Sequence, residues 1–244
     1  MARLQDKVII IIGAAQGMGE THARLCIVEG AKVVLTDINS EKGDALAKEL
    51  GANAIFIKHD VTSEENWAHV VKATQDKFGQ IDVLVNNAGI TTSKSILDTS
   101  LEDYRKIIEI NQVSVFLGMK AVIPAMKAAK QGSIINISSI NGLVGGAIGY
   151  TDSKFAVRGM TKAVALECAP YGIRVNSIHP GVIATPMIMQ GDTKDVVAAF
   201  AKSIPMKRVA QPEEVSGMVV FLASDDSSYS TGSEFIADGG LTAQ

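Results

Sequence analysis

Val8-Ile9-Ile10-Ile11-Ile12-Gly13-Ala14-Ala15-Gln16-Gly17-Met18-Gly19 is the stretch whose reading decides the fold of this chain. Five branched aliphatic residues in a row, with no polar alternation, suit a strand covered on both faces, as in a parallel sheet. The glycines follow in the spacing G-x-x-x-G-x-G and lead into a helical pattern. Gly13, Gly17 and Gly19 permit a tight turn and close approach of the backbone to a ligand. The helix that opens there, with Gln16 and Met18 in the same cradle, presents free N–H groups and its positive dipole end to a pyrophosphate. A glycine motif alone says little. Its position after the first strand of a βαβ unit is what gives it weight.

Working outward, short apolar runs alternate with helical patterns from end to end. The predicted strands are Val8–Ile12, Lys32–Asp37, Ala54–His59, Val83–Asn86, Ser133–Ser138, Arg174–His179 and Glu234–Ala237. The predicted helices are Gly17–Glu29, Ser40–Leu50, Ser63–Phe78, Leu101–Lys130, Tyr150–Ala169 and Pro212–Ala223, with Ser40, Ser63 and Ser100 as helix starts. This order predicts an α/β fold: one doubly wound, Rossmann-type parallel sheet of about seven strands with helices on both faces. No Pro/Gly/Ser-rich linker divides the 244 residues, so residues 1–244 are read as one dinucleotide-binding catalytic domain. Gly181–Ile204 stands outside the alternation and is read as a substrate-binding lid.

Composition narrows the function classes. Hydrophobic residues make up 47% and charged residues 20%, which is globular rather than disordered. A net charge of −3 and the lack of a basic run give no reason to expect nucleic acid. Val8–Ile12 is far too short to span a bilayer, and the N-terminal residues lack a signal-peptide layout, so no membrane is expected and the location is read as cytoplasmic. Cys26 and Cys168 are read as reduced, mostly buried thiols. His22, His59, His69 and His179 are scattered without ligand spacing, so no transition-metal site is indicated.

Two further features carry chemistry. Asp37 ends the second strand, 24 positions after Gly13. A carboxylate there accepts hydrogen bonds from ribose hydroxyls and repels a 2′-phosphate. With no Arg or Lys in Ala14–Met18 or Ile38–Ser40, the reading is NAD(H) rather than NADP(H). Farther on, Tyr150 and Lys154 are four apart on one helix face. A free phenol has a pKa of roughly 10; a neighbouring ammonium favours its phenolate, which fits it for proton exchange with a carbinol or carbonyl.

Together these residues resemble the short-chain dehydrogenase/reductase family over the full chain. Asp60-Val61 is similar to the family's adenine-contacting pair, and Asn86-Asn87-Ala88-Gly89 to its motif after the fourth strand. Asn111 falls where the family's helical catalytic Asn lies. Ser139 falls at the catalytic serine, with Ser138 beside it as the other hydroxyl. Pro180-Gly181, with Ile183 and Thr185, resembles the segment that clasps the nicotinamide. The resemblance implies that Tyr150 donates a proton to the ketone in the reductive direction and that Ser139 polarises its oxygen. Lys154 would lower the Tyr150 pKa and bind the nicotinamide ribose, and Asn111 would interrupt its helix to hold a relay water. The chain departs from the pattern twice. Ile12 stands where the family usually has a Thr that ties the glycine loop to Asn86–Gly89, and the eleven positions from Ser139 to Tyr150 are fewer than usual.

The tail Thr231–Gln244 resembles that of bacterial secondary-alcohol dehydrogenases, ketone reductases and hydroxysteroid dehydrogenases. Some such relatives hold a divalent ion near the C-terminal residue, which leaves Gln244 compatible with one. Thr91–Ile96, Asn141–Ile148 and Met187–Phe200 are the expected pocket walls. Ile148, Met187, Ile188 and Met189 there predict an uncharged, fairly apolar substrate: an alicyclic or aryl ketone, a diketone or a steroid. A 3-oxoacyl-carrier-protein reductase is the alternative enzyme, and a non-catalytic dinucleotide sensor the alternative of another class. The apolar helices Leu101–Lys130 and Tyr150–Ala169 exceed what one sheet covers, and a homotetramer is expected.

Overall fold

The structure is a computed structural model that describes residues 2–186 and 194–244. Its centre is β1 (Val8–Ile12), buried at every position and paired in parallel with β2 (Lys32–Asp37) on one side and β4 (Val83–Asn86) on the other. β3 (Ala54–Lys58), β5 (Gly132–Ile137), β6 (Ile173–Pro180) and β7 (Glu234–Ala237) complete one seven-stranded parallel sheet in the order β3-β2-β1-β4-β5-β6-β7. The doubly wound fold is as the alternation predicts.

The unbroken aliphatic run of β1 has a plain cause. Ile9 and Ile11 belong to the core on the side of α1 (Gly17–Val28), α2 (Ser40–Leu50) and the C-terminal helix Pro212–Ala223. Ile10 and Ile12 belong to the core on the side of α3 (Glu64–Phe78), α5 (Ser114–Ala129) and α6 (Tyr150–Cys168). With water excluded from both faces, no position favours a polar residue. Truncating one of these isoleucines to Ala would cost about 2–5 kcal/mol.

Helix ends follow local chemistry. Ser63 accepts from Asn66 N, and Ser100 forms a capping box with Asp103. Ser40 is not a cap; it is the first helical residue, and the Asn39 side chain accepts from Lys42 N. The predicted helix Leu101–Lys130 is also not uniform. α4 (Leu101–Ile108) passes into α5 through a π turn, Glu109–Val113. By length and composition the run Leu101–Ala129 could cross a bilayer; here 44% of its most apolar stretch is buried within the fold.

Strand reversal sets the site. Chain order changes direction between β1 and β4, which opens a crevice beyond the carboxyl ends of these strands. Of the expected lid 181–204, residues 187–193, with Met187, Ile188 and Met189, lie outside the described residues. Beyond them α7 (Lys194–Ala201) precedes α8 (Pro212–Ala223).

Candidate active site

A cleft of about 750 Å³ occupies the switch point. Gly13, Gln16, Gly17 and Met18 form one wall, and Asn87, Ala88 and Gly89 form the facing one. Gly13 has φ +72°, and a Cβ on it would come within 2.9 Å of the Ala88 Cα. A Cβ on Gly19 would collide with the Gly13 carbonyl. The two walls are tied together: Asn87 Nδ2 donates to both the Ile12 and Gly13 carbonyls, at 3.1 Å each. The anchor that Ile12 lacks a hydroxyl to make is thus supplied from the opposite strand. The Asn87 Oδ1 is buried without a partner in this wall. An unpaired acceptor beside a glycine cradle that tolerates no side chain fits a dinucleotide carrying ribose hydroxyls.

At the outer end, Asp37 Oδ2 accepts from Ala15 N (3.1 Å) and Oδ1 from Asn39 N (2.9 Å), which holds the carboxylate beside the loop. Lys42, just beyond the stretch in which no cation was expected, folds back so that its Nζ donates to Gln16 Oε1 at 2.8 Å. Asp60 lies on the cleft wall with Val61, and its carboxyl is held below the usual range by hydrogen bonds from the Thr62 backbone and hydroxyl. Behind Val61, the buried Trp67 donates its Nε1–H to the Val61 carbonyl at 2.9 Å. The same indole meets the His59 ring edge-on, with centroids 4.4 Å apart. His59 Nδ1 lies 3.1 Å from Thr36 Oγ1, and burial pushes its pKa down to about 4.

At the inner end four of the expected residues converge. Tyr150 opens α6, where Asp152 accepts from Gly149 N at 2.8 Å. The Tyr150 hydroxyl lies near enough to the Ser139 side chain for Ser139 to favour its phenolate. Ser138 is otherwise engaged, because its Oγ donates to the Lys154 carbonyl at 3.0 Å. The shortened connection between Ser139 and Tyr150 contracts around Asn141, which donates its backbone N–H to Ser139 Oγ (3.1 Å) and its Nδ2 to the Gly145 carbonyl (2.9 Å). Asn111 sits fully buried in the π turn; its Oδ1 accepts from Ile90 N, and its Nδ2 donates to the Ile90 carbonyl, each at 2.8 Å. A Cβ on Gly89 would lie 3.3 Å from Asn111 Oδ1 and 3.6 Å from Lys154 Nζ, so these groups border the inner cleft.

The electrostatics differ from the expectation in one respect. Burial raises the Tyr150 pKa above its usual value, and the Ser139 side chain offsets this only in part. Lys154, 4% exposed, donates to the Ile137 carbonyl at 2.8 Å, and its Nζ stands 5.6 Å from the Tyr150 ring centroid. Burial lowers Lys154 itself to about 8. The protein's own fold thus opposes charge at both groups, and the ammonium does not by itself bring the phenol down.

Not every expected cofactor residue lines the cleft, and Tyr150 and Lys154 are not among its lining residues. Thr185 does, with Pro186 after it, whereas Ile183 is in the core and Pro180 ends β6. Gly181 donates to the Ala237 carbonyl and packs against Asp238. Conversely, Lys106, Glu109 and Ile110, on the wall contributed by α4 and the π turn, were not anticipated. Lys94, in the first expected substrate wall, is a cation, but Asp103 holds its ammonium at 2.7 Å.

Comparisons agree with this geometry. A family model described as enoyl-(acyl carrier protein) reductase matches residues 13–242. The chain is 50% identical over 243 residues to a 3-alpha-(or 20-beta)-hydroxysteroid dehydrogenase of Mycobacterium bovis, covering 99% of this chain and 91% of that one. It is 49% identical to a cyclopentanol dehydrogenase of a Comamonas species, covering 100% of both chains. An NADP-dependent (R)-specific alcohol dehydrogenase of Lentilactobacillus kefiri is 41% identical, with 99% of each chain covered. The crystal structure of gox2181 superposes with a TM-score of 0.96 at 31% identity, covering 100% of this chain and 98% of that one. On this sheet order, this cleft and these similarities, the chain belongs to the short-chain dehydrogenase/reductase family.

Proposed function

We propose that the protein is an NAD(H)-dependent oxidoreductase that interconverts an uncharged, fairly apolar secondary alcohol and its ketone. The observation that carries this reading is the grouping of Tyr150, Ser139 and Lys154, with Lys154 Nζ beside Gly89 on the wall of the cleft. A bound nicotinamide supplies the hydride. Tyr150 supplies the proton to the carbonyl oxygen in reduction and removes it in oxidation; Ser139 orients and polarises that oxygen. Lys154 would hold the nicotinamide ribose, and Asn111 fixes the Ile90 backbone at the edge of the pocket. The hydroxysteroid and cyclopentanol relatives favour an alicyclic or steroid ketone, and nothing among the described residues of the site favours a carrier-bound acyl chain.

Asp37 supports NAD(H), since a carboxylate held beside the glycine loop would accept from ribose hydroxyls and repel a 2′-phosphate. Lys42 is the opposing observation, and an NADP-dependent relative shows that the family uses both cofactors. The deciding experiment follows NADH and NADPH oxidation with cyclopentanone, a 3-ketosteroid, an aryl ketone and a 3-oxoacyl thioester. Turnover of a cyclic ketone with NADH is expected. Preference for the thioester, or cofactor binding without turnover of any ketone, would overturn the reading.

The assembly proposed is a homotetramer in the cytoplasm. Phe116 on α5 and Phe155 and Leu166 on α6 are exposed apolar side chains, and Ile236 is exposed on the edge strand β7. Both cysteines are free and buried, as in a reducing compartment. Light scattering that gives a monomer mass would remove the tetramer.

A further inference from the structure

His179 lies one residue before the Pro180-Gly181 turn, is 0% exposed, and has both ring nitrogens engaged. Nδ1 is 2.9 Å from the Ser139 carbonyl oxygen, and Nε2 is 2.9 Å from Ser177 Oγ. A carbonyl oxygen only accepts, so Nδ1 carries the proton; Nε2 is then bare, and the Ser177 hydroxyl donates to it. The ring plane and the tautomer are therefore both fixed by neighbours.

The place of this contact in the sheet gives it meaning. The β5–β6 ladder ends at the pair Ile137–Ile178, and Ser138 N donates to the Ile178 carbonyl at 2.8 Å. Ser139 is the next residue on, extended at φ −169°, and its backbone passes beyond the strand pairing. There the His179 side chain takes over from the ladder, sharing the Ser139 carbonyl with Gly142 N at 2.9 Å. The Ser139 hydroxyl is meanwhile oriented by Asn141 N. Backbone and side chain of Ser139 are thus held by separate donors, one of them crossing from the neighbouring strand. The charged groups around the ring are Lys154 and Arg158 from α6 and Glu234 from β7, and Glu234 is already paired with Arg158 and Lys162 at 2.8 Å each. Neither Asn111 nor Tyr150 needs His179 for its own contacts.

We propose that His179 is a positioning residue: through its Nδ1–H bond to the Ser139 carbonyl it sets the Ser139 hydroxyl against the substrate oxygen. This rests on the reading of the Ser139–Tyr150 corner as the ketone-reducing site. An Asn at 179 places an amide N–H close to where Nδ1 was, whereas a Gln places it near Nε2; the two amides are therefore unequal substitutes.

The test compares His179→Leu, His179→Asn and His179→Gln with the unaltered enzyme. For His179→Leu and His179→Gln, kcat for the ketone should fall about 10-fold or more, with NADH Kd by fluorescence titration within about 2-fold of the parent. His179→Asn should recover most of the lost kcat. Equal kcat in all four proteins, recovery by Gln rather than Asn, or parallel loss of NADH affinity would each overturn the proposal. Should the Leu and Gln variants fail to fold, Ser177→Ala, which removes the second contact holding the ring, should lower kcat about 3–10-fold; unchanged kcat there overturns it. An activity-free readout is the ¹⁵N spectrum of the histidine rings in the unaltered protein. His179 should be neutral with its proton on Nδ1, and a proton on Nε2 instead would refute the proposal. Because that spectrum needs no substrate, it judges His179 even if no ketone is ever turned over.

Discussion

The outer and inner ends of the cleft are built by different means. The outer end is made of backbone: glycines that admit no Cβ, an asparagine stitching two walls together, and carboxylates holding turns. The inner end is made of buried side chains that the fold would rather keep neutral. Lys154 is lowered to about 8 and Tyr150 raised, both chiefly by burial. A cradle of backbone groups, with carboxylates in their ordinary charged form, recognises without holding ionisable groups in a costly state. A catalytic corner that moves protons must hold ionisable groups where they are costly, and it lowers stability as it does so.

The largest expected effect separates the two ends outright. Tyr150→Phe should cut turnover by about 10²–10⁴-fold while NADH binding by fluorescence titration stays within about 2-fold. Comparable losses in both would mean that the ends do not act separately. Next, Asp37→Ser should raise the NADPH-to-NADH ratio of kcat/KM by roughly 10–100-fold, since it removes the carboxylate and leaves Lys42 beside the ribose site. An unmoved ratio would take Asp37 out of cofactor choice.

Stability sharpens the contrast at the inner end. Lys154 has a folded pKa near 8 against an ordinary 10.5, so folding disfavours its charged form. That penalty is fully present below about pH 8, shrinks as pH rises from 8 towards 10.5, and is gone above. Lys154→Met should therefore abolish turnover yet raise Tm at pH 7 by roughly 3–8 °C, with the gain fading across that window. A lower Tm at pH 7 would show that the ammonium is stabilising. The smallest effect belongs to the outer end. Trp67→Phe removes the donor to the Val61 carbonyl and should raise the NADH KM about 5-fold with kcat unchanged. Reduced nicotinamide mononucleotide, which lacks the adenosine, should be unaffected; a matching rise there would point to general damage.

The outer end was largely legible in the sequence, because glycine spacing and a strand-end carboxylate are local signals. Gly13, Gly17 and Asp37 stand where the pattern put them, and the seven strands were found with ends shifted by a residue at most. The inner end was legible only as a set of residue types. The Tyr150-x-x-x-Lys154 spacing places two groups on one helix face but does not reveal that Lys154 donates to the Ile137 carbonyl or that burial raises the Tyr150 pKa. The interruption of the helix at Asn111 was expected from the resemblance, whereas the π turn there inserts no residue type that a helical pattern would flag. Lys42 reaching Gln16, Trp67 reaching Val61 and His179 reaching Ser139 are side-chain contacts between distant or adjoining elements, and composition carries no trace of them.

The shortened turn between Ser139 and Tyr150 is pinned at its two ends, by Asn141 to the Gly145 carbonyl and by Asp152 to Gly149 N. A designer could exchange Val144, Ala147 and Ile148 as a cassette, leaving the contacts of Tyr150 and Ser139 untouched.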